Sequence, residues 1–230
     1  MQTKAFLSPF HLTATEKFPF LRFDSVDIQS WWEKEALLLS QAGVELVFCP
    51  EKTVPYIAPA GFPCAGYFLD TPKQVLAVAT GLGVEEWFPV FLHELCHFRQ
   101  WRDNSPEWAA NKMPDGREAV EVLDSWVSGE EVCEETLNMA LQAALNVERD
   151  CEERTLALIK SLGLPICPVW YAKQANAYVQ SYRWLRLSRV WYPAENSPYR
   201  NTKILEASPP FIVKAWDRSL RSAFESVYGV

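Results

Sequence analysis

Histidine is scarce in this 230-residue chain, which has three, and methionine is equally rare. Six cysteines stand at 49, 64, 96, 133, 151 and 167, and no two are spaced as C-x-x-C. That argues against a zinc ribbon and against a dithiol redox centre. No run of 18 apolar residues occurs, so no membrane-spanning helix is expected. Met1 to Phe10 has no basic stretch followed by an apolar one, so no secretory leader is expected, and reduced thiols in the cytoplasm follow. Internal repeats and low-complexity tracts are lacking too. What is abundant is apolar: 49% of residues are hydrophobic, enough for a sizeable core and too many for bulk disorder. Ten tryptophans each need a packing site, which predicts a core rich in aromatic contacts.

The formal net charge is −7, so the surface as a whole does not suit a polyanion. The charge is uneven. Residues 170–230 hold nine Lys/Arg against four Asp/Glu, a net +5, and the rest of the chain nets −12. Either a basic C-terminal part packs over an acidic body, or it offers a local basic surface to a partner.

Residues 1–23, with Pro9 and Pro19, read as extended. Asp24 or Ser25 can cap a helix running to Ala42, and Gly43 suits its C′ position. Val44–Phe48 reads as a short strand, and the proline-rich residues 50–63 as a loop. Ala65–Leu69 and Gln74–Ala79 read as two strands joined by a turn at Asp70–Lys73. A helix then runs to about Arg102, with Pro89 expected in its first turn. A polar loop over 103–117 precedes a short helix, Glu118–Val127. Long helices follow over 130–162 and over 168 to about 190, then an irregular stretch at 192–213 and a final helix near 214–228.

Residues 93–97 read His-Glu-Leu-Cys-His. On a helix, His93 and His97 lie one turn apart on one face, where two imidazoles can fill two positions of a tetrahedral zinc ion. Glu94 stands beside them as the general base for an activated water. With three His and 21 Glu placed at random, about 0.002 such motifs are expected in a chain of this length. The surrounding residues, Val90, Phe91, Leu92, Leu95, Phe98 and Trp101, are apolar on all sides, which marks a central buried helix. Two imidazoles and a carboxylate buried there need satisfaction that a metal would provide. The bland alternative is a pair of core histidines bonded to carboxylates. Cys96 points elsewhere on the helix and reads as packing.

His11 is the only other histidine, so a third protein ligand must come from another residue type. On a wheel of helix 130–162, Glu148 falls in the middle of an apolar stripe with Leu137, Leu141, Ala144, Thr155 and Ile159, while Asp150 and Glu153 point away. A carboxylate on a core-facing stripe needs a cation or several donors. Glu152, one turn later, is an alternative ligand or an acceptor that orients a ligand histidine, and Glu134 is a third candidate. A salt bridge from Glu148 to Arg99 or Arg183 is the competing explanation.

The sequence resembles zinc-dependent metallopeptidases of the zincin type, in the gluzincin branch whose third ligand is a glutamate on a later helix. An acidic residue often follows that glutamate by four positions, and Glu148-Arg149-Asp150-Cys151-Glu152 fits the form. The resemblance spans residues 65–162. It implies His93, His97 and Glu148 as zinc ligands, Glu94 as the base and Glu152 as the supporting acid. It further implies that substrate lies antiparallel against a strand preceding the motif helix, for which Gln74–Ala79 is the candidate, with an ordinary structural hairpin as the alternative. Tyr171, Tyr178, Tyr182, Arg183 and Tyr192 are available to stabilise an oxyanion. The chain is also similar, through 146–160 and 176–200, to uncharacterised HExxH-bearing proteins encoded by bacteriophages. The HELCH motif resembles that of SprT-like proteases, which act on proteins attached to DNA, but their C-terminal cysteine-rich zinc module is missing here.

Residues 178–200 interleave aromatic and basic side chains, a pattern that suits single-stranded nucleic acid or, more simply, a packed helix whose arginines pair with acids. A base deaminase is a poor fit, because no H-x-E with P-C-x-x-C occurs. The expectation is a single α+β domain over 1–230: a strand-rich part at 1–83, metal-site helices at 84–162 and a helical extension at 163–230, with a small antiparallel or mixed sheet packed on the HExxH helix. The expected function is a zinc metallopeptidase acting on a peptide or protein in the host cytoplasm or, if phage-encoded, in the virion. The alternative is a non-proteolytic protein on the same scaffold, binding a protein or nucleic acid, with zinc as a structural staple.

Overall fold

The computed structural model describes residues 10–11, 28–54 and 64–229. The expected caps Asp24 and Ser25, and most of the expected extended segment 1–23 and loop 50–63, lie outside the described residues. The fold is α+β, with a small mixed sheet, eight α-helices among the described residues and a helical C-terminal half. It divides into two compact units. The first comprises residues up to Arg102 with Ser161–Pro165, and the second Asp103–Lys160 with the chain from Ile166 onward.

In the first unit, helix α1 (Ile28–Gln41) buries Ile28, Trp32, Ala36 and Leu39, spaced at helical intervals on one face. Gly43 closes it at φ 71°, with the Gly43 and Val44 amides donating back to the Ser40 and Leu39 carbonyls. That paired arrangement satisfies carbonyls the helix end would leave bare, and it favours a residue without a Cβ.

The sheet has the order β1-β2-β4-β3, formed by Phe10–His11, Glu45–Cys49, Gly66–Leu69 and Val75–Ala79 for β1 to β4 respectively. Strand β4 runs parallel to β2, with Glu45 opposite Val75, and antiparallel to β3, with Gly66 opposite Val78. Its Val-Leu-Ala-Val-Ala run has no polar alternation, as suits an interior strand covered on both faces. The expectation that Gln74–Ala79 would offer an edge to substrate is therefore corrected: β2 and β3 occupy both sides of β4, and β3 stands at the edge of the described sheet.

Helix α2 (Val84–Arg102) packs on this sheet through aromatic rings. Phe48 meets Trp87 and Phe91, Trp32 meets Phe91, and Phe68 meets Phe98, all at centroid separations of 5.7–6.0 Å. Pro89 was expected in the first turn, but the helix begins at Val84 and Pro89 lies inside it. The Gly83 carbonyl accepts from Glu86 and Trp87, so the first turn is already formed before the proline. Proline then removes one ladder bond, to the Glu85 carbonyl, and burial of Trp87, Phe88 and Phe91 around it offsets that loss.

The second unit is helical. Within the expected loop 103–117, Ser105 caps a short helix, α3 (Pro106–Ala110), with proline at its first turn. Helix α4 (Ala119–Val127) opens with a reciprocal capping box between Glu118 and Glu121. Helix α5 (Glu134–Ser161) and helix α6 (Pro168–Ser188) form the main body. Leu137, Ala140, Ala144, Val179, Tyr182 and Leu185 share one buried cluster with Val122 and Leu123 of α4. Helix α7 (Thr202–Ala207), capped by Asn201, falls within the stretch expected to be irregular. Helix α8 (Arg218–Tyr228), capped by Asp217, packs Leu220 and Phe224 with Trp184, Ile204 and Leu205. No helix among the described residues is long and apolar enough to cross a membrane.

Candidate metal centre

Helix α2 brings His93 and His97 together. Their Nε2 atoms lie 3.0 Å apart, with the rings nearly perpendicular at 86°. The Oε1 atom of Gln100, fully buried one turn further on, accepts a 2.8 Å hydrogen bond from His97 Nδ1. An amide oxygen only accepts, so the His97 proton sits on Nδ1 and the Nε2 lone pair faces His93. Two nitrogens bound to one tetrahedral zinc at the usual bond length stand about 3.3 Å apart. The histidine pair therefore has a spacing close to that of two zinc ligands, and His97 has the tautomer and the outer acceptor that such a ligand uses.

Glu94 is buried beside the pair. Strand β3 presses on it from the sheet side: a Cβ on Gly66 would lie 3.1 Å from Glu94 Cγ, 2.8 Å from Val90 Cγ1 and 3.0 Å from the Ala77 carbonyl oxygen. Just before that strand, Cys64 exchanges backbone bonds with Val54. Burial, reinforced by the Glu94 carboxylate, pushes its thiol up to about 12.

In the second unit, Glu148 and Glu152 lie one turn apart on α5. Glu152 is only 5% exposed, and its Oε2 accepts from the Tyr171 hydroxyl at 2.5 Å. Glu148 is half-buried, and its Oε1 lies 3.4 Å from the Tyr182 hydroxyl. Burial first, and then the Glu148 carboxylate, holds the Tyr178 and Tyr182 phenols well above the usual tyrosine range, so both remain protonated donors at neutral pH. Cys151, between the two glutamates, is fully buried and adds a thiol to the donors α5 offers. Glu153 is exposed, as the wheel required.

The competing cations are engaged elsewhere. Arg99 pairs with Glu35, and Arg183 donates to Gln180 Oε1 and the Lys214 carbonyl. Glu134, the third carboxylate considered, is a surface residue, with a side chain 73% exposed and salt-bridged to Arg186. The aromatic residues of 178–200 turn largely inward: Tyr182 contacts Tyr178 and Trp191 edge-on, and the Trp191 indole donates to Asp124. Arg186 and Arg189 lie over the Trp126 ring. Cys96 is fully buried, as its packing role required.

Sequence reasoning missed Gln100, although its place three residues after His97 on the same helix was a readable signal. It also missed that Tyr171 and Tyr182 serve carboxylates of the neighbouring helix, which only the pairing of α5 with α6 reveals. All six cysteines are free thiols. No family model matches the chain, and neither a curated protein nor a solved structure matches it.

Proposed function

We propose that this chain is a zinc-dependent metallopeptidase of the zincin type. The observation that carries the reading is the convergence of the His93 and His97 Nε2 atoms at 3.0 Å, with the buried Glu94 beside them on the same helix. A structural zinc site has no need of that carboxylate, whereas hydrolysis needs a base within reach of water. The resemblance names Glu148 as the third ligand.

Zinc held there would supply a Lewis acid for a peptide carbonyl and lower the pKa of water. Glu94 takes the proton of the attacking water and returns it to the leaving amine. Gln100 fixes the His97 tautomer that keeps Nε2 available. Strand β3, at the edge of the sheet among the described residues and with its Gly66 backbone approaching Glu94, replaces β4 as the strand on which an extended substrate would lie. The substrate class is a peptide or an unfolded protein segment, and the six free thiols suit a reducing compartment such as the cytoplasm.

The test is zinc content by mass spectrometry together with cleavage of a denatured protein. Wild type is expected to carry about one zinc per chain and to cleave. Glu94→Gln should keep the metal and lose cleavage. Wild type that takes up no zinc at neutral pH ends the reading. Zinc without cleavage in wild type supports a structural role instead.

A further inference from the structure

Helix α6 carries a row of polar side chains that bond to the main chain of one passing segment. Lys173, Asn176, Gln180 and Arg183 share a face at helical spacing. Lys173 Nζ donates to the Leu205 carbonyl at 3.1 Å. Asn176 Nδ2 donates to the Pro209 and Phe211 carbonyls at 3.0 and 2.8 Å, and Asn176 Oδ1 accepts from the Val213 amide at 3.0 Å. Gln180 Nε2 stands 3.5 Å from the Val213 carbonyl, and Arg183 Nη2 donates to the Lys214 carbonyl at 3.1 Å. Asn176 and Gln180 are buried, so residues 209–214, between α7 and α8, are strapped along α6 by a fixed seam. A trans peptide turns its C=O and the next N–H to opposite sides. The Phe211 carbonyl faces α6, so the Ile212 amide faces away. The Val213 amide faces α6, so the Ile212 carbonyl faces away. By the same rule the Lys214 amide turns outward, and the Pro210 carbonyl follows in the two-residue alternation of an extended chain. None of these four groups meets a hydrogen-bond partner among the described residues. Phe211 beside them is 62% exposed, and Ile212 and Val213 are partly buried.

We infer that residues 210–214 are the pairing edge of a homodimer, in which the same segment of a second copy lies antiparallel about a two-fold axis at Ile212. The outward groups are self-complementary in that register. Ile212 exchanges both main-chain bonds with Ile212 of the second copy, and each Lys214 amide donates to the other copy's Pro210 carbonyl. Pro210 has no N–H to give in return, and the Lys214 carbonyl opposite it needs none, because Arg183 already holds it. An ordinary peptide residue opposite Pro210 would leave its own carbonyl facing a ring without a donor. Phe211 falls opposite Val213 of the second copy, an aromatic with a β-branched side chain, which is a favourable cross-strand pair. Proline at one end and the bend at Lys214 at the other keep the edge short, so pairing closes at two copies and does not grow. The seam on α6 already fixes the segment, so little freedom is lost on association. The inference is independent of the metallopeptidase reading.

The experiment is sedimentation velocity over a concentration series, on the full chain, for wild type, Ile212→Pro and Phe211→Asp. Reducing buffer keeps the exposed Cys133 and Cys167 from linking copies. Ile212→Pro removes the outward amide and touches no bond to α6. Wild type should pass from monomer to dimer as concentration rises. Each variant should raise the dissociation constant about tenfold or more, with the melting temperature of dilute protein close to wild type. If Ile212→Pro lowers melting, Phe211→Asp carries the test, since its side chain is exposed. In the wild-type dimer the Ile212 and Lys214 amides should exchange with deuterium more slowly than in the monomer. Wild type that stays monomeric at every concentration overturns the inference. So does a dimer that a well-folded variant keeps at wild-type affinity, or one in which those two amides gain no protection.

Discussion

The Gly66 backbone lies against the Glu94 side chain so closely that any other residue there would make its neighbours give way. A Cβ there would stand 3.1 Å from Glu94 Cγ and 3.0 Å from the Ala77 carbonyl, which belongs to the interior strand and has little room to retreat. Gly66→Ala is expected to cost about 1–3 kcal/mol in urea unfolding, as overpacking does, and to turn Glu94 out of place. Peptidase activity should fall while zinc content holds. Unchanged stability together with full activity would mean that β3 shifts freely and that this contact positions nothing.

Gln100 makes the second prediction. Gln100→Leu keeps the approximate volume and removes the acceptor from His97 Nδ1. Loss of such an outer partner should weaken zinc affinity by about 10–100-fold. Chelator competition at fixed pH measures it, and affinity equal to wild type would show that the His97 tautomer needs no help from Gln100.

The Glu35–Arg99 pair concerns stability rather than chemistry. Arg99 Nε and Nη2 both donate to the Glu35 carboxylate, whose side chain is 8% exposed. Glu35→Ala strands a guanidinium in a largely buried place and should cost about 3 kcal/mol. The double variant Glu35→Leu, Arg99→Met should recover much of that loss. Equal losses in both variants, read from urea melts, would show that packing rather than charge governs this position.

Thiol reactivity supplies the last test. At pH 8 the Cys64 thiol, pushed up to about 12, is almost wholly protonated. Cys133 is exposed and its thiol is held below the usual range, chiefly by the Thr136 hydroxyl, so it should alkylate first. Removing the Glu94 charge by Glu94→Gln lowers the Cys64 pKa, because less repulsion opposes the thiolate, and should speed its labelling. Peptide mapping after timed iodoacetamide treatment reads both rates. A Cys64 that labels as fast as Cys133 in wild type would contradict the burial and the charge contact together.

The long helices were legible because their signals are local. Gly43 and Gly163 mark helix ends by left-handed φ, and Pro168 sits where a first turn tolerates it. The His93–Glu94–His97 face followed from helical spacing alone. The order of the sheet was not legible. Two apolar runs flanking Asp70–Lys73 read as a hairpin, yet the side of β4 away from β3 belongs to β2, a strand some 30 residues upstream in register. Periodicity carries no information about such a partner. Tyr171 and Tyr182 were visible as candidates, but their partners depend on which face of α6 meets α5, and one helix wheel cannot supply the phase of another.

Pro89 also partitions the backbone of α2 in time. The first residues of the helix should open without taking the rest of it along, because no amide at 89 ties the Glu85 carbonyl into the ladder. Beyond it, Phe91, Leu92, Leu95, Cys96 and Phe98 are fully buried. Their amides should exchange with deuterium only through large-scale opening, while those of Glu85 and Glu86 exchange by local breathing. The imidazole-bearing half of the helix is then expected to be kinetically insulated from its own N-terminus.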